Sequence, residues 1–176
     1  MSHILWIDLE TTGLETKDCT ILEVGAIVTD KNLREIAVYQ GVIHRLEPEF
    51  RTMNEWCKKT HSKSGLLEEC RWSLKCEGDV EREFRDFITD NFGSEKAIIA
   101  GSSVHFDKKF LDAKMPTVAS KLHYRLIDVS SFKETFRIVY GYDVPNDKAP
   151  AHRALADIRG SIVEYKRYLE MIKVPA

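Results

Sequence analysis

Apolar residues along this chain recur at two spacings, and the change from one to the other marks out its elements. Three short apolar runs come first, at residues 4–7, 21–28 and 37–43. Runs of this length between polar or glycine-containing segments read as strands. Their short connections predict an antiparallel meander. From residue 47 to 78 the pattern turns polar and irregular around Trp56, His61 and Trp72, and no regular element is predicted there. Helical spacing then sets in over 80–88, followed by a short buried strand at 97–100, a helix at 106–113, a strand at 126–129 and a helix at 130–140. The final helix, 151–172, carries Leu155, Ile158, Ile162, Tyr165, Leu169 and Ile172 in steps of three and four. Strands first, then alternating helix and strand, predict an α/β fold: a mixed five-stranded sheet flanked by helices.

Composition adds boundaries to this picture. The 176 residues suit one domain spanning 1–176, with no repeat or linker to divide it. A chain 43% hydrophobic and 31% charged is ordinary for a globular protein, which excludes disordered and fibrous classes. No stretch reads as a membrane span or a secretory signal, so the expected location is cytoplasmic, or mitochondrial if a targeting segment has been removed. Cys19, Cys57, Cys70 and Cys76 lack metal-binding spacing and are expected as reduced thiols. The net charge of −2 provides no broad basic field. A nucleic-acid ligand would have to be held by local contacts, which favours a short one.

The first strand ends in chemistry. In His3-Ile4-Leu5-Trp6-Ile7-Asp8-Leu9-Glu10, alternation puts Asp8 and Glu10 on one face and Ile7 and Leu9 on the other. Two carboxylates held this close repel and raise each other's pKa unless a cation neutralises them, and hard oxygen ligands suit Mg²⁺ or Mn²⁺. The alternative is a pair of acids that merely ends a strand at the surface.

Two further acids stand in unexpected places. Asp107 shares a helical face with Phe110 and Leu111, so a carboxylate lies on the apolar side, where it must be paired or bind metal. It could also be a helix-start acid favoured by the helix dipole. Asp157 borders the apolar stripe of the last helix. His152, five residues earlier, would be turned about 140° from it on a straight helix. Pro150 suggests that His152 lies on the loop or in the first turn, free to swing over a site; a surface role is the alternative. Together these four acids and one histidine fit hydrolysis with two metal ions, in which the histidine takes a proton from water.

That order of residues resembles the DEDDh branch of 3′→5′ exonucleases, whose fold is ribonuclease H-like. More narrowly it is similar to the oligoribonuclease (small-fragment nuclease) family over nearly the whole chain. The resemblance is carried by Trp6-Ile7-Asp8-Leu9-Glu10-Thr11-Thr12-Gly13-Leu14, Met53-Asn54-Glu55-Trp56-Cys57, Lys63-Ser64-Gly65-Leu66, Val104-His105-Phe106-Asp107-Lys108-Lys109-Phe110-Leu111, Met115-Pro116, His123-Tyr124-Arg125-Leu126-Ile127-Asp128-Val129-Ser130 and His152-Arg153-Ala154-Leu155-Ala156-Asp157-Ile158.

The resemblance implies a homodimeric exoribonuclease that degrades RNA of a few nucleotides, dinucleotides above all, with two Mg²⁺ or Mn²⁺ ions per site. Asp8, Glu10, Asp107 and Asp157 would hold metal, and His152 would be the general base. Leu14 and Trp56 match positions that wedge and stack the two bases. His61, Ser103, Arg125 and Ser130 match positions that cap the 5′ phosphate, with Tyr124 and Arg125 reaching across from the partner subunit. On residue type alone, Trp56 could be a core aromatic, His61 a solvated loop residue, and Tyr124 and Arg125 ordinary strand residues. The chain departs from the family at Thr11, where methionine is usual, at Ser102 for asparagine, and at Phe106 for glutamine or glutamate. A less length-selective exonuclease on single-stranded DNA or RNA, and a non-catalytic nucleotide-binding protein, are the other functions this scaffold could serve.

Overall fold

The computed structural model describes residues 3–51, 53–143 and 152–172. Strand β1 (Ile4–Thr11) occupies the centre of a five-stranded sheet of order β3-β2-β1-β4-β5. β2 (Ile21–Thr29) and β3 (Glu35–Val42) continue from it as the predicted antiparallel meander. β4 (Ala97–Gly101) and β5 (Leu122–Asp128) run parallel on the other side. β2 is buried throughout, as its unbroken apolar run requires of a strand covered on both faces.

Alternation along β1 separates two cores. Leu5, Ile7 and Leu9 pack with Val80, Phe84 and Ile88 of α4 (Glu77–Phe92), Phe110 and Leu111 of α5 (His105–Lys114), and Val118 of the one-turn α6 (Pro116–Ala119). Trp6 faces the other way, into a core with Val129 and Phe136 of α7 (Val129–Tyr140) and Ile158, Ile162 and Tyr168 of α8 (Ala154–Met171). The Trp6 indole N–H donates to Thr29 Oγ1 at 3.0 Å, so its polar atom is satisfied inside that core.

The segment predicted to be irregular is helical. α1 (Glu47–Phe50), α2 (Glu55–Lys63) and α3 (Leu66–Trp72) pack Phe50, Cys57, Leu66, Leu67 and Cys70, with Met53, around Leu22 of β2. Asn54 caps α2, its side chain accepting from the Cys57 amide at 2.8 Å. None of the three reaches ten residues, too short for a helical period to stand out in a sequence window. β5 begins four residues before its predicted start, because Leu122–Arg125 is a largely polar stretch at the edge of the sheet. The last helix starts at Ala154, three residues later than predicted, so His152 precedes it; Pro150, the reason given for placing His152 on the loop or in the first turn, lies outside the described residues.

Candidate active site

The acids converge because three elements meet at the end of β1. In the antiparallel register Asp8 lies opposite Gly25 and Glu10 opposite Glu23. A Cβ at position 25 would stand 2.5 Å from the Ala154 Cβ, so glycine is what allows the start of α8 to settle onto the sheet here. One turn further on, Asp157 reaches the strand acids. Asp8, Glu10 and Asp157 each offer a carboxylate oxygen within 4.8 Å of the others.

Burial makes this cluster electrostatically costly. It is the main cause raising Asp8 to about 7, followed by repulsion from Asp157 and Glu23. Glu10 is pushed up to about 8 by burial, then by Asp8, Asp157 and Glu23, with Arg153 opposing. Carboxylates this close cannot all ionise without a cation, and an all-oxygen donor set is the kind that Mg²⁺ or Mn²⁺ accepts.

Asp107 approaches from α5 and stands apart from the other three. It is only 5% exposed, beside Phe110 and Leu111 as its helical face predicts, and its Oδ1 accepts from the Leu9 amide at 2.8 Å. Burial, then repulsion from Asp8, raises its pKa well above the usual carboxylate range, and the bond from Leu9 offsets part of this. Lys108 and Lys109 turn away to Asp112 and Glu15.

His152 is off the helix axis. Its φ of 51° is left-handed, and its ring stands edge-on to Trp56, centroids 5.4 Å apart. Trp56 is 61% exposed and therefore no core aromatic; Leu14, 69% exposed, is equally available at the end of the β1 turn. His61 is no solvated loop residue. It is buried, its Nε2–H donates to the Thr11 carbonyl at 3.0 Å, and its Nδ1 lies 3.7 Å from Glu10 Oε2. Burial holds its pKa below the ordinary histidine value.

A second group forms where β4 and β5 pass into their helices. The Ser103 and Ser130 hydroxyls lie 3.1 Å apart, and the Ser103 amide donates to Asp128 Oδ1 at 2.9 Å and to Ser130 Oγ at 3.0 Å. Asp128 also caps α7 through the Ser130 amide and bonds His105 Nδ1 at 3.0 Å. Tyr124 and Arg125 project from edge strand β5, with the guanidinium 5.2 Å from the Tyr124 ring centroid. Of the four residues matched to a 5′-phosphate cap, Ser103 and Ser130 are thus in direct contact. His61 has Thr11 and Glu10 as its neighbours instead.

Relatives agree with this architecture. A "Probable oligoribonuclease" of Schizosaccharomyces pombe is 44% identical over 168 residues, covering 94% of this chain and 66% of that protein. One of Dictyostelium discoideum is 41% identical, covering 94% of this chain and 88% of its own. The exonuclease family profile matches residues 5–165. The chain belongs to the oligoribonuclease family of exonucleases. Human "Oligoribonuclease, mitochondrial" is 40% identical over 94% of this chain and 71% of its own. Among solved structures, E. coli exonuclease I in complex with a dT13 oligonucleotide superposes with a TM-score of 0.70 at 17% identity, over 95% of this chain and 41% of that one. This chain therefore spans about two fifths of the exonuclease I chain, and the likeness carries the ribonuclease H-like fold.

The family's unusual positions here are structurally accommodated. Thr11 Oγ1 donates to the Gly13 carbonyl at 2.8 Å, Ser102 Oγ meets Ser161 Oγ of α8 at 2.8 Å, and Phe106 packs on Phe110. Sequence reasoning overlooked Glu23 and Arg153. The signal for Glu23 was an acid inside the unbroken apolar run of β2; it is fully buried, opposite Glu10.

Proposed function

We propose that this protein is a 3′→5′ exoribonuclease that hydrolyses very short RNA, dinucleotides above all, to 5′-mononucleotides. The observation that carries this reading is the convergence of Asp8, Glu10 and Asp157 at the end of β1, with His152 held off the helix five residues before Asp157. The donor set fits two Mg²⁺ or Mn²⁺ ions held by Asp8, Glu10 and Asp157, with Asp107 taking part directly or through water. When bound, such ions stabilise charge developing on the scissile phosphate and lower the pKa of the attacking water.

The chain's own residues supply the rest. His152 takes the proton from that water. Trp56, edge-on to His152, and Leu14 are both exposed; they stack on and wedge apart the two bases. The Ser103 and Ser130 hydroxyls with Arg125 hold the 5′ phosphate, to which an arginine fork is matched. His61, buried against Thr11 and Glu10, braces the strand end. A site closed at the 5′ end excludes longer strands sterically, which explains how a chain of net charge −2 binds RNA. The protein acts as a homodimer through edge strand β5, on which Tyr124 is 76% exposed, and Tyr124 and Arg125 serve the second copy's site. The exonuclease domain spans 1–176. No described helix is long and apolar enough to cross a membrane, and the proposed compartment is the cytoplasm or the mitochondrion, the latter named for the human relative.

Turnover of a dinucleotide at saturating Mg²⁺ tests the assignment. His152→Ala should lower it by about 10²–10⁴ with little change in binding, and Asp8→Ala should abolish metal-dependent cleavage. Wild-type turnover in either variant removes the corresponding role.

A further inference from the structure

His152 is held in a backbone conformation that a non-glycine residue does not keep unaided. A left-handed φ is disfavoured by contact between Cβ and the backbone and persists only where the surroundings over-determine it. The next residue, Arg153, is the N-cap of α8, yet its side chain caps nothing. It is spent on two acids from different elements.

Arg153 Nε and Nη2 donate to the two oxygens of Glu23 at 3.2 and 3.1 Å. Its Nη1 and Nη2 donate to the two oxygens of Glu69 on α3, both at 2.7 Å. Both carboxylates are gripped in forked fashion by one planar cation, a geometry that lysine cannot reproduce. Glu23 is itself fixed: fully buried, it also accepts from Gln40 Nε2 at 2.5 Å and from the Ala154 amide at 3.2 Å. The sheet, α3 and the first turn of α8 are therefore tied at the residue after His152. Trp56 of α2 meets the imidazole edge-on.

We propose that Arg153 is a positioning residue for His152: by clamping Glu23 of β2 and Glu69 of α3 it holds the turn that presents the imidazole edge-on to Trp56. The inference rests on His152 being the general base. Arg153 also places a positive charge beside Glu23, the buried acid opposite Glu10.

Two variants test it, each compared with His152→Ala on a dinucleotide at saturating Mg²⁺. Arg153→Met removes the clamp but leaves Glu23 without its cation, so Glu69→Gln serves as the variant that spares the buried pair. Misplacement by about an ångström is enough for a loss of about 10²-fold. Arg153→Met should lower kcat by about that factor with KM nearly unchanged, Glu69→Gln by a smaller factor, and Arg153→Lys should recover only part of the loss. Trp56 emission, isolated by difference from a Trp56→Phe background, should move toward that of His152→Ala in both variants. A role confined to holding the fold would leave kcat and this emission at wild type in folded Glu69→Gln, and that result overturns the proposal. Wild-type turnover in His152→Ala would instead overturn the assignment of the base itself.

Discussion

The Leu9 amide, between the two strand acids, donates a 2.8 Å hydrogen bond to Asp107 Oδ1. This bond ties α5 to the end of β1, and it gives Asp107 a structural role beside the metal-site role proposed for it. The two can be separated. Asparagine keeps an oxygen that can accept from Leu9, whereas alanine leaves a buried N–H unpaired, which costs about 1–3 kcal/mol. In metal-free protein, Asp107→Ala should unfold at lower urea than wild type while Asp107→Asn stays close to it, and both should lose nuclease activity. Equal stability of the two variants would show that the Leu9 contact contributes nothing.

The acid cluster predicts an unusual pH dependence in the absence of metal. Asp8 and Glu10 are raised to about 7 and about 8 in the folded chain, while unfolded carboxylates titrate near 4. Between these limits the folded state binds more protons than the unfolded one, so stability falls as pH rises, and the loss is complete once pH passes about 8. His61 acts in the opposite sense, since burial lowers its pKa, but only below its ordinary value of 6.5. From about pH 6.5 to 8.5 the acids therefore dominate. The melting temperature of EDTA-treated protein should fall across this interval, and excess Mn²⁺ should reverse the fall. A flat or rising melting temperature with EDTA would contradict the raised pKa values.

Because Trp56 is exposed, its removal separates binding from folding. Stacking on a base is worth about 1–3 kcal/mol. Trp56→Ala should therefore raise KM for a dinucleotide by about 5- to 150-fold while the melting temperature stays at wild type, and Trp56→Phe should recover most of the affinity. An unchanged KM would exclude the stacking role.

The parts of this protein that obey a short period were legible in its sequence. Strand alternation placed Asp8 and Glu10 together, helical spacing placed Asp107 beside Phe110 and Leu111, and the misfit between His152 and Asp157 on one helix put His152 on the loop or in the first turn, of which the structure shows the loop. What the sequence hid depends on contacts between distant residues. α1 to α3 are short, and their apolar residues make sense only against Leu22 of β2. Glu69 and Arg153 are unremarkable one by one, and the acid inside the apolar run of β2, Glu23, gains its meaning only where the close approach at Gly25 brings the start of α8 onto the sheet and Arg153 bonds both acids. His61 shows the same limit, since its residue type alone suggested a solvated loop residue and the fold buries it beside Glu10.

The most direct test of a metal-dependent exonuclease built for very short RNA is a length series of 5′-labelled RNAs from two to about twenty nucleotides, timed with Mg²⁺ and with EDTA, because a closed 5′ end discriminates sterically. The account predicts that the dinucleotide is cleaved fastest, that rates fall steeply with length, and that EDTA abolishes them all. Comparable rates on long and short strands, or cleavage that survives EDTA, would contradict it.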